Sequence, residues 1–215
     1  MTHCLSATTK QRLFKHAQSY NWKIEVLPKT RFENVLIIKK NNSIIPEIWV
    51  CSTYTKYKRA FSKFLMEYFR LDFEISKDYH VDHSLPKIRF KKLYLDYFIR
   101  LFLIDKNINC SYGATYEKMF FEKEFNQKPN GGFHISMITI LKVLGYSIPK
   151  KRTDEIERKN WAYITSKKLE KEGLENWEWH YPFLYAIIND GYKDLNINEI
   201  MISKDYSTHI VRKYD

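Results

Sequence analysis

Tyr79 to Lys118 reads YHVDHSLPKIRF followed by KKLYLDYFIRLFLIDKNINCSYGATYEK, and the rest of the chain is organised around this stretch. Here several chemically capable side chains fall at spacings that a single mechanism needs. Tyr79 to Leu85 predicts an extended strand, in which neighbouring side chains point to opposite faces, and Pro86 makes a bend at its end plausible. Asp82 and His83 stand side by side just before that bend. Arg100 to Ile104, RLFLI, predicts a second, apolar strand, and Asn109 stands at the head of a helix predicted over Asn109 to Phe121.

Hydrolysing a phosphodiester needs a base to activate water, a divalent cation to stabilise charge on the phosphate and leaving oxygen, and groups that hold both in place. A carboxylate such as Asp82 is a good hard ligand for Mg²⁺ or Mn²⁺, and an imidazole such as His83 titrates near neutrality and suits a base. Asp-His-x-x-Pro, then a loop, a short apolar strand and an Asn at the start of a helix, resembles the HNH family of ββα-metal nucleases. The resemblance implies a strand ending in Asp-His, a second strand, and a helix bearing the last ligand. It assigns Asp82 as first metal ligand, His83 as general base and Asn109 as last metal ligand. The loop from Ser84 to Ile99 carries Lys87, Arg89, Lys91 and Lys92, placed to hold phosphates without reading sequence.

The chain departs from the family pattern in two ways. Arg100 stands where the family has a central Asn, a role that Asn107 could fill instead, and the Cys-x-x-Cys knuckles that brace many such nucleases are missing. The flanking helices and the N-terminal sheet must then supply the scaffold. Glu117 lies two helical turns after Asn109, on roughly the same face, where it either completes the metal shell or is an exposed partner for Lys118 or Lys123. His80 is either an additional ligand or a side chain on the opposite strand face. For Asp82 and His83 themselves the bland alternative is a capped turn with a hydrogen-bonded histidine.

The composition agrees with an anionic partner. Lys plus Arg number 36 against 25 Asp plus Glu, a formal charge of +11, which points to an anionic partner such as nucleic acid or a membrane face, and the HNH resemblance favours DNA. A generally lysine-rich composition is the alternative. With 44% hydrophobic and 16% aromatic residues the chain is far from disordered compositions. No stretch approaches the ~20 apolar residues of a membrane span and no secretory signal opens the chain, so the expectation is a cytoplasmic protein without a membrane partner. Cys4, Cys51 and Cys110 are scattered and support neither a disulfide framework nor a zinc knuckle. The Rossmann, phosphate-loop, Gly-x-Ser-x-Gly and His-Glu-x-x-His motifs are absent, which removes the commonest other enzymes.

Elsewhere, Thr8 to Tyr20 predicts a capped amphipathic helix containing His16. Trp22 to Leu27, Asn34 to Lys40 and Ile44 to Cys51 predict an antiparallel meander, the third strand carrying Pro46 and therefore expected at an edge or with a bulge. Tyr54 to Leu71 predicts a helix whose stripe of Tyr57, Phe61, Phe64, Leu65 and Tyr68 faces a core, with Lys56, Arg59, Lys63 and Arg70 beside it. NQKPNGG at Asn126 to Gly132 is the strongest break. Phe133 to Tyr146, with His134 near its start, predicts a helix stopped by Gly145, and Lys150 to Lys171 a charged helix. Asn176 to Asn189, NWEWHYPFLYAIIN, offers an aromatic plug or a protein-docking anchor centred on residues 176–185.

These readings combine into an α+β protein. An N-terminal α+β region spans 1–75, a ββα-metal core 76–125 and a mostly helical region 126–215, packed as one unit. The expected function is a metal-dependent endonuclease acting on DNA, of the kind found in toxins, phage defence or mobile elements. The alternatives are a non-catalytic basic nucleic-acid-binding protein and an immunity- or inhibitor-type protein-binding module.

Overall fold

The computed structural model describes residues 5–41, 43–71, 75–85, 87, 97–113, 132–135, 137–149, 153–171, 181–182 and 184–185. In chain order these hold β1 (Leu5–Thr9), α1 (Lys10–Ser19), β2 (Lys23–Val26), β3 (Val35–Lys39), β4 (Glu47–Cys51), α2 (Tyr57–Phe69), β5 (Tyr79–His83) and β6 (Tyr97–Asp105). They continue with α3 (106–113), β7 (Gly132–His134), α4 (Met137–Val143) and α5 (Glu155–Lys171). The architecture is mixed α+β: a seven-stranded antiparallel sheet in the order β2-β3-β4-β6-β1-β7, with β5 also on β6. Strands from each of the three regions expected from the sequence join this sheet.

Everything turns on β6, whose nine residues YFIRLFLID are buried up to Ile104. A strand this apolar on both faces needs cover on both. Its first half is flanked by β4 (Val50 opposite Ile99) and by β1 (Ala7 opposite Ile99). Its second half is paired by β5, with His83 opposite Leu101 and Tyr79 opposite Asp105. The Tyr97 carbonyl accepts from the Ser52 amide (2.7 Å) at the end of β4, whereas the Arg100 carbonyl accepts from the Ser84 amide (2.8 Å) at the end of β5. Carbonyls an odd number of residues apart point to opposite strand edges, so β5 lies on the β1 flank. The two strands meet end to end there, where the buried Ser84 hydroxyl donates to the Ser6 carbonyl (2.7 Å).

Alternation sorts the side chains onto two faces. Leu36, Ile38, Trp49 and Phe98 meet Leu13 and Ala17 of α1 on one face. On the other, Ile37, Ile48, Val50, Val81, Leu101 and Leu103 meet Ala60, Phe61, Phe64 and Leu65 of α2. Further along β6, Phe102 and Ile104 join Tyr112 of α3, Ile140 and Leu141 of α4 and Ala162 and Leu169 of α5 in a third core.

Two strands lie where the sequence reading put none. β1 occupies Leu5–Thr9, just before and partly within the helix expected from Thr8, and β7 occupies the start of the helix expected from Phe133. Both complete ladders with partners far away in the chain, a gain that local propensity does not see. β4 is also central, between β3 and β6, and not at an edge. Pro46 precedes the first ladder residue, Glu47, so its missing N–H costs the sheet nothing.

Helix ends follow from single residues. Thr9 caps α1, and Gly145 at φ 80° stops the chain after α4, in the left-handed region that favours glycine. The Asp105 carboxylate accepts from the amides of Asn107 (2.8 Å) and Ile108 (3.2 Å), which starts α3 three residues before the expected Asn109. Asp105→Ala is expected to lose about 1 kcal/mol of stability in urea unfolding, the usual value of an N-cap. An unchanged midpoint would mean that this cap does not hold α3.

Candidate functional site

The candidate site is the β5–β6–α3 unit. Because β5 is regular through His83, its polar residues divide between the two faces of the sheet. His80 and Asp82 stand opposite Ile104 and Phe102, on the face that α4 and α5 cover, while Val81 and His83 stand opposite Leu103 and Leu101, on the α2 face. Adjacent Asp82 and His83 therefore do not converge. β5 stays regular past both residues, and Pro86, where a bend was expected, lies outside the described residues.

On the α4 side, α3 returns Asn109 to β5. Its Nδ2 lies 3.0 Å from His80 Nδ1; an amide nitrogen can only donate, so in this arrangement Nδ1 accepts and the ring proton sits on Nε2. His80, the residue given two readings from the sequence, is thus the partner of Asn109 and shares its face with Asp82, about 7 Å along the strand by ordinary strand rise. The Asp82 Oδ2 accepts from Lys142 Nζ at 2.6 Å, with the lysine side chain only 4% exposed and the aspartate 27%. Lys142 comes from the otherwise apolar turn sequence of α4, MITILKV. A lone lysine in such a run needs a buried carboxylate, which is the signal by which sequence reasoning could have found this pair.

On the α2 side, His83 packs its ring against Tyr57 with centroids 4.4 Å apart. Its Nε2 is buried and has no hydrogen-bond partner among the described residues. Burial pushes the imidazole down from 6.5 to about 4, with the Asp82 charge opposing this and the Lys87 charge adding to it. His83 is therefore neutral at physiological pH. Burial, helped by the Asp82 charge, raises the Tyr57 phenol. Lys87 donates from Nζ to the Tyr54 carbonyl at 2.6 Å and lies 5.4 Å from the Tyr57 ring centre.

Arg100, expected from the sequence as a site residue and placed on β6, serves a separate network. Its guanidinium meets Glu47 Oε1 at 2.7 Å, Lys40 Nζ meets the same oxygen at 2.7 Å, and the Trp49 indole donates to Oε2 at 2.9 Å. All these side chains are buried. Burial alone would raise the Glu47 carboxyl, but the Arg100 and Lys40 charges over-compensate and hold it below the ordinary value. Asn107, the alternative brace, contributes its amide to the Asp105 cap.

A hard divalent cation takes carboxylate, amide and water oxygens. By donor type Asp82 and the Asn109 amide oxygen fit Mg²⁺ or Mn²⁺, with Lys142 as the protein cation that such an ion would have to displace. Among the described residues no group of three His, Cys, Asp or Glu is arranged around a metal position. Glu117, Arg89, Lys91 and Lys92 lie outside the described residues, as does most of the Trp-rich 176–185 segment. Of that segment, Leu184 is buried beside α5, and Tyr181 and Tyr185 pack against the same core. No described helix is long and apolar enough to cross a membrane. In comparisons with known proteins the chain matches no family model, no curated protein and no solved structure.

Proposed function

We propose that the chain is a metal-dependent endonuclease acting on DNA, built on β5, β6 and α3 as a ββα-metal unit followed by a helical C-terminal part. The observation that carries this reading is the return of Asn109 to within 3.0 Å of His80, on the strand face that also bears Asp82. Asp82 and Asn109 hold the cation, Mg²⁺ or Mn²⁺, which when bound supplies charge stabilisation at the phosphate and the leaving oxygen. His80, with Nδ1 taken by Asn109, keeps its Nε2–H as a donor for a phosphate oxygen. His83 is neutral, the state a base requires, but it stands on the opposite face of the sheet from Asp82 and Asn109, so serving as their base requires β5 to turn at its end. Its Nε2 is buried, and the imidazole ring packs against Tyr57.

Incubation of the purified protein with supercoiled plasmid, with Mg²⁺, Mn²⁺ or EDTA, tests the proposal. Metal-dependent nicking is expected, reduced about a hundredfold in Asp82→Ala, the range seen when a group stabilising transition-state charge is lost. Lys142→Met, which frees Asp82, is expected to tighten Mn²⁺ binding as followed by electron paramagnetic resonance of the free ion. Absence of nicking with either metal, or a Mn²⁺ affinity that ignores both substitutions, would sink the reading.

A second reading has its own observation. The 2.6 Å pair with Lys142 neutralises Asp82 inside the protein, and His83 is packed away, which is what a non-catalytic nucleic-acid-binding protein would show. It predicts a plasmid shifted on a gel and uncut under every metal.

A further inference from the structure

On the α2 side of the sheet the β2–β3 connection and the first two turns of α2 enclose a cleft of about 550 Å³. Its walls carry Lys29 and Arg31 from the connection, the capping residue Lys56, and Arg59 and Lys63 from the helix, and no acidic residue lines it among the described residues. Lys56, Arg59 and Lys63 recur at helical spacing on one side of α2, beside the apolar stripe that faces the core. Among the described residues none of these five cations has a carboxylate within ion-pair distance. Glu25, Glu47 and Asp82, by contrast, each hold a lysine.

Two further features concentrate positive potential here. The capping residue Lys56 makes no side-chain hydrogen bond to the start of α2, and the first turn holds no acid, so the amides there are not neutralised by the helix's own side chains. Lys29 sits at φ 54° in the turn Leu27-Pro28-Lys29-Thr30, closed by the Thr30 amide on the Leu27 carbonyl (3.1 Å). Glycine or asparagine is the usual residue at that turn position, and a lysine held there costs on the order of 1 kcal/mol. The backbone carries this cost with a cation that lines the cleft.

We infer that this cleft binds the phosphodiester backbone of a polynucleotide strand. Five unpaired cations around one cleft exceed what a single phosphate can neutralise, so an anion with several phosphates is the matching ligand. The cleft adjoins the β5 unit, since Tyr54 lines it and its carbonyl accepts from Lys87, and Tyr57, one residue beyond Lys56, packs its ring at a tilt against His83. The inference does not rest on hydrolysis at β5 and would stand for a protein that only binds.

The test is fluorescence anisotropy with a labelled single-stranded oligonucleotide in EDTA, so that cleavage plays no part, over about 50 to 200 mM salt. Wild-type binding is expected to weaken by about 0.7 in log affinity per log salt for each phosphate engaged. In Arg59→Glu with Lys63→Glu, affinity is expected to fall at least about tenfold and the slope to flatten by about 1.4, the share of two phosphates. The pair Lys168→Glu with Lys171→Glu, on α5, carries the same charge change away from the cleft and is expected to leave both nearly unchanged. Unchanged thermal unfolding establishes that each variant is folded, and Arg59→Gln with Lys63→Gln gives the same comparison without charge reversal. Equal weakening by the α5 pair, displacement of the oligonucleotide by inorganic phosphate at matched ionic strength, or no oligonucleotide binding by the wild type would each overturn the inference.

Discussion

Glu47→Ala is expected to destabilise the protein by about 3–5 kcal/mol in urea unfolding, the cost of stranding buried charges whose partner is gone. Glu47 is 5% exposed and is the carboxylate shared by Lys40 and Arg100, both also buried. Removing it takes from the buried Lys40 and Arg100 the carboxylate they share, and from the Trp49 indole N–H its acceptor. A domain of ordinary stability has about 5–15 kcal/mol in total, so the variant should sit near its folding limit.

The same physics predicts the opposite result for a larger change. Replacing Lys40 by Met, Glu47 by Leu and Arg100 by Met together removes the desolvated charges along with their attractions, and buried ion networks exchanged for apolar side chains are often neutral or better. The triple variant is therefore expected to recover most of the lost stability. Should Glu47→Ala cost under about 1 kcal/mol, the value of an exposed pair, then water reaches this cluster and its burial has been overstated. Arg100 is assigned by this result as well. If the guanidinium serves only Glu47, the folded triple variant keeps whatever nuclease activity the wild type has.

The sequence made the local elements legible and left the long-range ones dark. The β2–β4 meander, α1, α2, the glycine stop at Gly145 and the succession of two strands and a helix after Tyr79 all follow from periodicity and punctuation within a few residues. LSATT at Leu5–Thr9 has no such pattern, and it is a strand because Ala7 finds Ile99 and Phe133. At the site, strand alternation already required Asp82 and His83 to face apart unless the strand bent. The structure keeps β5 regular through His83, so the requirement holds. The His80–Asn109 pairing follows from the same alternation, but choosing it needed the angle at which α3 leaves β6. Lys142 was visible as a charge in an apolar helix, yet nothing within α4 says that its partner is Asp82, sixty residues earlier in the chain. The basic side of α2 was legible; its meeting with Lys29 and Arg31 was not, because that depends on how the β2–β3 connection folds back.

Stability is expected to fall as the pH drops from 7 to 5, and His83→Phe is expected to remove most of that fall. In the unfolded chain an imidazole titrates near 6.5, whereas burial holds folded His83 near 4. Between those values the unfolded state takes up a proton that the folded state refuses, so the contribution is complete above 6.5 and is lost progressively as the pH falls, levelling off below about 4. At about 1.4 kcal/mol per pH unit the full window is worth about 3 kcal/mol, and the stretch down to pH 5 about 2 kcal/mol. Lowered carboxylates also cost stability in acid, but in a different window. Glu25, held down to about 2 chiefly by hydrogen bonds from Lys23 and Lys39, begins to matter only below its ordinary 4.5. In the range from 6.5 to 5 the lowered carboxylates therefore contribute little, and the difference between wild type and His83→Phe reports the share of His83. Phenylalanine keeps a ring against Tyr57 and takes away the nitrogen that has no partner, so the variant should match the wild type at pH 7 and exceed it at pH 5. Urea unfolding in EDTA at the two pH values gives the comparison. An equal acid loss in both proteins would mean that the imidazole is hydrated in the folded state. A hydrated His83 could not be the packed side chain described here, and it would already be open to water as a base.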